Sequence, residues 1–216
     1  ASTGATPDAA SPCVFNRTDV PLPAVVTVDF QGVNLSAARL NPLYTTTNAA
    51  NAYLDIEPEY ITVSGGKAYV TLQENNAVGV FNLATNGWEA VLPLGSINQL
   101  IDASERDGIR IDDTVTGLPM PDAIASFTVG GQTYFVTANE GDARDDNALL
   151  GRRTEEARVS AVTAQIEPGY LAQLNAFYQG IITQNVTHVN ALGDLRVSKF
   201  DGLNGGGLIT NLTMYG

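Results

Sequence analysis

Residues 138–146, ANEGDARDD, crowd Glu140, Asp142, Asp145 and Asp146 around one arginine, Arg144. Carboxylates at this density, separated by a turn-permitting glycine, can turn several oxygens toward one point. That chemistry suits Ca²⁺, which takes six to eight oxygen ligands at about 2.3–2.6 Å. The spacing is not that of an EF-hand loop. The alternative is a solvated loop in which Arg144 pairs with Asp142 or Asp145, since charged loops are commonly just that. Further acids sit at comparable places along the chain: Glu57 and Glu59 in EPEYI, Glu74 in LQEN and Asp122 in MPDAI. The candidate metal ligands are therefore Glu57, Glu59, Asp122, Glu140, Asp142 and Asp145, with Ca²⁺ as the ion. No catalytic residue is singled out. The acidic segment IDASERDGIRIDD reads first as a solvated loop and only secondarily as a further source of ligands.

Other site chemistries find little material. The chain has one histidine, His188, too few for the clusters on which most zinc sites depend. It also has no G-x-S-x-G elbow for a serine nucleophile. Cys13 is the single cysteine and cannot form an internal disulfide. Hydrolysis of a phosphoester by carboxylate-held metal ions needs no histidine and stays open. Arg144, Arg152 and Arg153 can meet a phosphate or neutralise the acids around them. Trp88, Tyr69, Tyr134 and Phe135 read as sheet-packing residues, or as a carbohydrate platform.

With 11 basic and 23 acidic residues among 216, the formal charge is −12, which argues against nucleic acid and anionic membrane surfaces as partners and favours cations. No apolar run approaches the roughly 18 residues needed to span a bilayer. The N-terminal ASTGATPDAASPC lacks the basic and apolar regions of a signal peptide and looks like a processed terminus. Sequons at Asn16, Asn34, Asn185 and Asn211, with abundant Thr, Asn and Gly, lean toward an extracellular address.

The elements that must position the acids are mostly strands. Residues 1–23 form an Ala/Ser/Thr/Pro-rich lead-in, and VVTVDF at 25–30 reads as a strand. Between 59 and 94, β-branched and aromatic runs alternate with turn residues, predicting four antiparallel strands near 59–64, 67–73, 77–83 and 88–93. Alternation puts Tyr69 and Thr71 on one face, Val70 and Leu72 on the other. VSGGKAYVTLQEN at 63–75 aligns with VGGQTYFVTANEG at 129–141 at an offset of 66, pairing Glu74 with Glu140. This internal repeat is the size of a propeller blade. After the second copy, Pro168 opens an amphipathic helix with Leu171, Leu174, Phe177, Tyr178 and Ile181 on one face. LRVSKF and GLITNLTMYG then return to strand character.

EPEYITVSGGKAYVTLQENNAVGVFNL, IDASERDGI, MPDAIASFTVGGQTYFVTANEGDARD and LGDLRVS together resemble the choice-of-anchor I family, over residues 25–216. The resemblance implies a secreted or cell-surface protein with YVTN-like β-propeller repeats. Family members include bacterial proteins labelled alkaline phosphatase and animal surface glycoproteins associated with biomineralisation. The expected fold is all-β: a partial propeller over 24–216, with a blade at 57–94, an acidic connection at 95–119 and a second blade at 120–216 holding a helical insertion at about 152–190. FDGLNGGG stands where the family carries an acidic Gly-Asp run, which speaks against a calcium loop at 200–207. The expected function is a Ca²⁺-binding extracellular structural or binding module. The alternative is a metal-dependent phosphomonoesterase of the alkaline-phosphatase-like kind. Too few blades are legible to close a ring, so the expected partners are other protein chains or further blades of the same precursor.

Overall fold

Two glycines in left-handed conformation, Gly65 and Gly66 at φ +60° and +77°, turn the chain between its two most regular strands, and Gly130 and Gly131 at +59° and +80° do the same a repeat later. Positive φ at both central residues gives the tight hairpin turn whose twist matches that of its strands. The computed structural model describes residues 25–45, 48–103, 109–144, 154–177 and 195–215. The lead-in at 1–23, Cys13, Asp145, Asp146, Arg152, Arg153, Tyr178, Ile181 and His188 lie outside them, as do the sequons at Asn16 and Asn185.

The first expectation to be corrected is the strand at 25–30. This segment is irregular, with Val25 and Val26 exposed. β-Branched residues favour strands only where a neighbouring strand offers pairing and packing, and among the described residues none does. Instead Phe30 is buried by stacking on Trp88, ring centroids 4.0 Å apart, while Trp88 donates its indole N–H to the Asp29 carbonyl. A short helix α1 (Pro42–Thr45) and a 3₁₀ segment (Ala49–Asp55) follow.

The four-stranded sheet is as expected: β1 (Pro58–Ser64), β2 (Lys67–Leu72), β3 (Ala77–Asn82) and β4 (Gly87–Pro93), antiparallel in sequential order and free of helix. Val70, Leu72, Ala77 and Val91 pack with Phe30, Leu35 and Ile56 on one face. Gly79 makes room for Trp88 there, since a Cβ would come within 2.7 Å of the indole.

The acidic connection is partly strand. β5 (Ile97–Ile101) and β6 (Asp113–Leu118) pair antiparallel, and β6 is also joined in parallel by the last strand, described below. The second repeat is a hairpin, β7 (Pro121–Val129) and β8 (Gln132–Asn139). Its turn equates Gly130-Gly131 with Gly65-Gly66, so the structural offset at the turn is one residue shorter than the offset that aligns Glu74 with Glu140.

Beyond it come β9 (Glu156–Arg158), α2 (Val159–Val162), α3 (Pro168–Phe177), β10 (Arg196–Ser198) and β11 (Thr213–Tyr215). The helix begins at Pro168 as its sequence predicts. Its Leu171 and Leu174 pack against the buried cluster Val159, Val162, Ile166, Val197, Ile209 and Leu212. The fold is thus mainly antiparallel β with few helices. Among the described residues the sheets form no closed ring.

The two hairpins dock head to tail. Thr62 and Tyr69 of the first meet Ser126 and Phe135 of the second: Thr62 Oγ1 lies 3.0 Å from Ser126 Oγ, and the Tyr69 and Phe135 rings are 4.3 Å apart. Thr62 and Tyr69 belong to the side of the first hairpin that carries its turn-flanking pair, Ser64 and Lys67. Ser126 and Phe135 belong to the opposite side of the second. The second hairpin's own turn-flanking side, with Phe127, Tyr134 and Val136, is left exposed.

Candidate acidic site and its buried arginine

The docking of the two hairpins brings acids from separate stretches to one end of the sheets. Glu57 precedes β1 and Glu59 lies within it, Glu74 sits in the β2–β3 turn, Asp122 is near the start of β7, and Glu140 and Asp142 follow β8. Hydrogen bonds hold this end together, among them Met120 N–H to Asn76 Oδ1 at 3.1 Å. Thr71 Oγ1 donates to the Asp122 carbonyl at 2.8 Å, and Gln73 Nε2 donates to Glu140 Oε2 at 3.3 Å.

Partial burial and then the charges of Asp122, Glu57, Glu140 and Asp142 raise the Glu59 carboxyl above its ordinary value. All five described candidate ligands thus share one electrostatic neighbourhood. As the side chains stand, no three acidic, histidine or cysteine groups among the described residues converge closely enough to hold a metal ion. Glu59, Glu140 and Asp142 are exposed.

Glu74 differs from its neighbours. Only 7% exposed, it has a carboxylate oxygen, Oε2, with no hydrogen-bond partner and no contact with solvent. Burial pushes its pKa up to about 7. Its own backbone N–H and the Arg144 charge act against that rise, while Glu57 and Glu59 add to it. A buried carboxylate oxygen without a donor is costly, so it is an unusual thing to find fixed in a turn.

Of the two loop partners expected for Arg144, Asp142 and Asp145, the second lies outside the described residues. Rather than pairing with Asp142, Arg144 turns inward, 3% exposed, and meets Asp55 at 3.5 Å, Glu57 at 3.6 Å and Glu155 at 3.3 Å. Its Nη2 also donates to the Asp55 carbonyl at 2.9 Å. Arg39 reaches the same Glu155 from the other side at 2.7 Å, and its other nitrogens donate to Asp201 and to the Tyr215 hydroxyl. Burial works against the Arg39 charge, but Asp201, Tyr215 and Glu155 more than offset it and hold the guanidinium above its ordinary pKa. Asn41 completes the arrangement by donating its backbone N–H to Asp55 and its side-chain amide to Glu155.

Arg39, Asp55, Glu155 and Asp201 were not among the sequence candidates. Arg39 and Asp55 each stand without an oppositely charged neighbour in their local stretch, while Glu155 lies within the charged run RRTEEAR, and most of the pairings join distant segments. The one signal available was a charged residue inside an apolar run, as in AYLDI around Asp55.

The remaining sequence candidates are also placed. Trp88 and Tyr69 pack against other rings, and Tyr134 stacks on Phe127 at 5.6 Å. Residues 200–207 form a turn in which Asn204 Oδ1 accepts from the backbone N–H groups of Gly206 and Leu208.

Docked antiparallel hairpins with an acidic end and a buried ionic centre define a β-sheet protein built from repeated units. The choice-of-anchor I domain model matches residues 11–216, and the chain belongs to that family. The family places it among secreted or cell-surface proteins. No described helix is long and apolar enough to cross a membrane. Neither a curated protein nor a solved structure matches the chain.

Proposed function

We propose that the chain is an extracellular, non-catalytic binding or structural module made of propeller-type stacked blades, and that its acidic end takes a divalent cation, Ca²⁺. The observation that carries this reading is the gathering of Glu57, Glu59, Asp122, Glu140 and Asp142 from two repeats into one field strong enough to raise Glu59. Unscreened, such groups repel one another, and a hard cation with oxygen preference relieves that repulsion. The head-to-tail docking supports the blade reading, because an interface between unlike faces can be repeated and so leads to rings or open stacks.

Thermal unfolding with and without chelator tests the cation. Calcium at millimolar concentration is expected to raise Tm, and the rise should shrink in Glu59→Gln and Glu140→Gln. An unchanged Tm for the native chain would overturn the reading. Calcium-dependent turnover of p-nitrophenyl phosphate that disappears in Glu140→Gln, with the fold intact, would replace it by the phosphoesterase reading.

A further inference from the structure

The acids at this end of the sheets are mostly exposed, whereas a selective ion site needs at least one oxygen already stripped of water. Glu74 meets that requirement. It sits in the turn between β2 and β3, where the neighbouring backbone is fixed by bonds from Asn75 N–H to the Leu72 carbonyl and from Asn76 N–H to the Gln73 carbonyl. The Asn75 side chain further ties this turn to Arg39, Asp55 and Glu57. The turn that carries the orphaned Oε2 is thus held by the framework, and the Glu74 carboxylate, buried there, feels the charges of Glu57 and Glu59.

We propose that Glu74 is the fixed inner ligand of the Ca²⁺ site, completed by Glu57 and Glu59 from the first hairpin and by Asp122 and Glu140 from the second, so that the bound ion clasps the two hairpins together. This rests on the reading of the acidic end as a cation site and adds both the residue that anchors the ion and what the ion does. The desolvation already imposed on Glu74 by folding is not charged again when the ion binds, which is why this oxygen contributes more than an exposed one. The links already at that end are neutral or singly charged hydrogen bonds, from Thr71 to the Asp122 carbonyl at 2.8 Å, from Met120 N–H to Asn76 Oδ1 at 3.1 Å and from Gln73 to Glu140 at 3.3 Å, and a bridging ion adds a contact among the carboxylates themselves.

Calorimetric titration of the full chain with CaCl₂ tests it. The native chain is expected to bind, and Glu74→Gln to bind at least tenfold more weakly. Glu89→Gln, which alters a carboxylate paired with Lys67 elsewhere on the sheet, should match the native affinity. Hydrogen exchange supplies the second readout: calcium should slow exchange of the β7 and β8 amides in the native chain and not in Glu74→Gln. If Glu74→Gln does not fold, Glu74→Asp decides, since it keeps the charge while withdrawing the oxygens, and it too should lose affinity. Native affinity in whichever Glu74 variant folds overturns the role of Glu74 and leaves the cation reading standing. Calcium binding without slowed exchange in β7 and β8 overturns the clasp. No binding by the native chain at millimolar calcium overturns the cation reading itself and this inference with it.

Discussion

Arg144 and Glu155 meet at 3.3 Å with side chains 1% and 0% exposed, from two stretches that the repeat pattern treats as unrelated loop and insertion. Arg39 holds the same carboxylate from its other oxygen. One acid thereby ties the N-terminal segment, the end of the second hairpin and the start of β9 to a common point. Glu155 also accepts the Asn41 amide, which spreads the cost of its burial over several donors.

Arg144→Met should therefore cost about 3–5 kcal/mol, because it leaves Glu155 and Asp55 buried with less compensation. Urea denaturation at pH 7 measures it. Combining the change with Glu155→Gln should cost less than the sum of the two alone, since the partners are coupled. Strict additivity would show that the pair contributes nothing as a pair.

Glu74 gives the fold a pH dependence with a definite sign. Its folded pKa of about 7 lies above the ordinary carboxylate value of 4.5, so between these values the native state holds a proton that the unfolded state has released. Stability from this group is full below about pH 4.5 and is lost as pH rises through about 7. With calcium chelated, the loss should amount to about 1–2 kcal/mol, allowing for solvent screening. Glu74→Gln should remove that part of the slope and be more stable than the native chain at pH 8. A native slope that survives in the variant would assign the effect to another group. Glu59, shifted the same way but mostly exposed, adds little to stability.

Gly202 stands at φ +70°, and a Cβ there would lie 2.4 Å from the Asn211 carbonyl oxygen. Gly202→Ala should destabilise by about 1–3 kcal/mol, and it should weaken the adjoining Asp201 contact to Arg39. At Gly66, which has a similar φ and open space around its Cβ position, the same change should cost only about 1–2 kcal/mol from the backbone. Equal losses at the two sites would mean that the close approach at Gly202 relaxes freely.

The exposed side of the second hairpin, with Phe127, Tyr134 and Val136, should make the isolated chain associate at high concentration. In sedimentation velocity the native chain should show concentration-dependent association. Val136→Lys should reduce it with little change in Tm. A monomer at all concentrations, indifferent to this substitution, would show that this face needs no partner.

The hairpins, their turns and the helix beginning at Pro168 were legible because each is written in a short window: alternation of period two, a Gly-Gly pair, an apolar stripe after proline. The shared neighbourhood of Glu57, Glu59, Asp122 and Glu140 was suggested by the repeat, which put them at matching ends of matching strands, while Asp142 was singled out by the acid density of ANEGDARDD. The inward turn of Arg144 was not, since its partners Asp55 and Glu155 are set by how distant segments pack, and local sequence offered Asp142 as an equally good partner. Residues 25–30 misled for the opposite reason: strong strand propensity with no strand beside it among the described residues. Glu74 was visible as a repeat position, but nothing in LQEN announces that one of its oxygens is sealed from water.

The Arg39 centre also sets a timetable. Its guanidinium meets Asp201 and the Tyr215 hydroxyl across separations of 162 and 176 residues. Contacts of such range carry a large closure entropy and form late, whereas the β1–β4 meander and the β7–β8 hairpin need only neighbours in sequence. The hairpins are therefore expected to form early, and the Arg39 centre, which ties the N-terminal segment to Asp201 and Tyr215, to close last. For a protein of the secreted or surface kind, the interval between the two stages is when unfolded-chain proteases and chaperones have their opportunity.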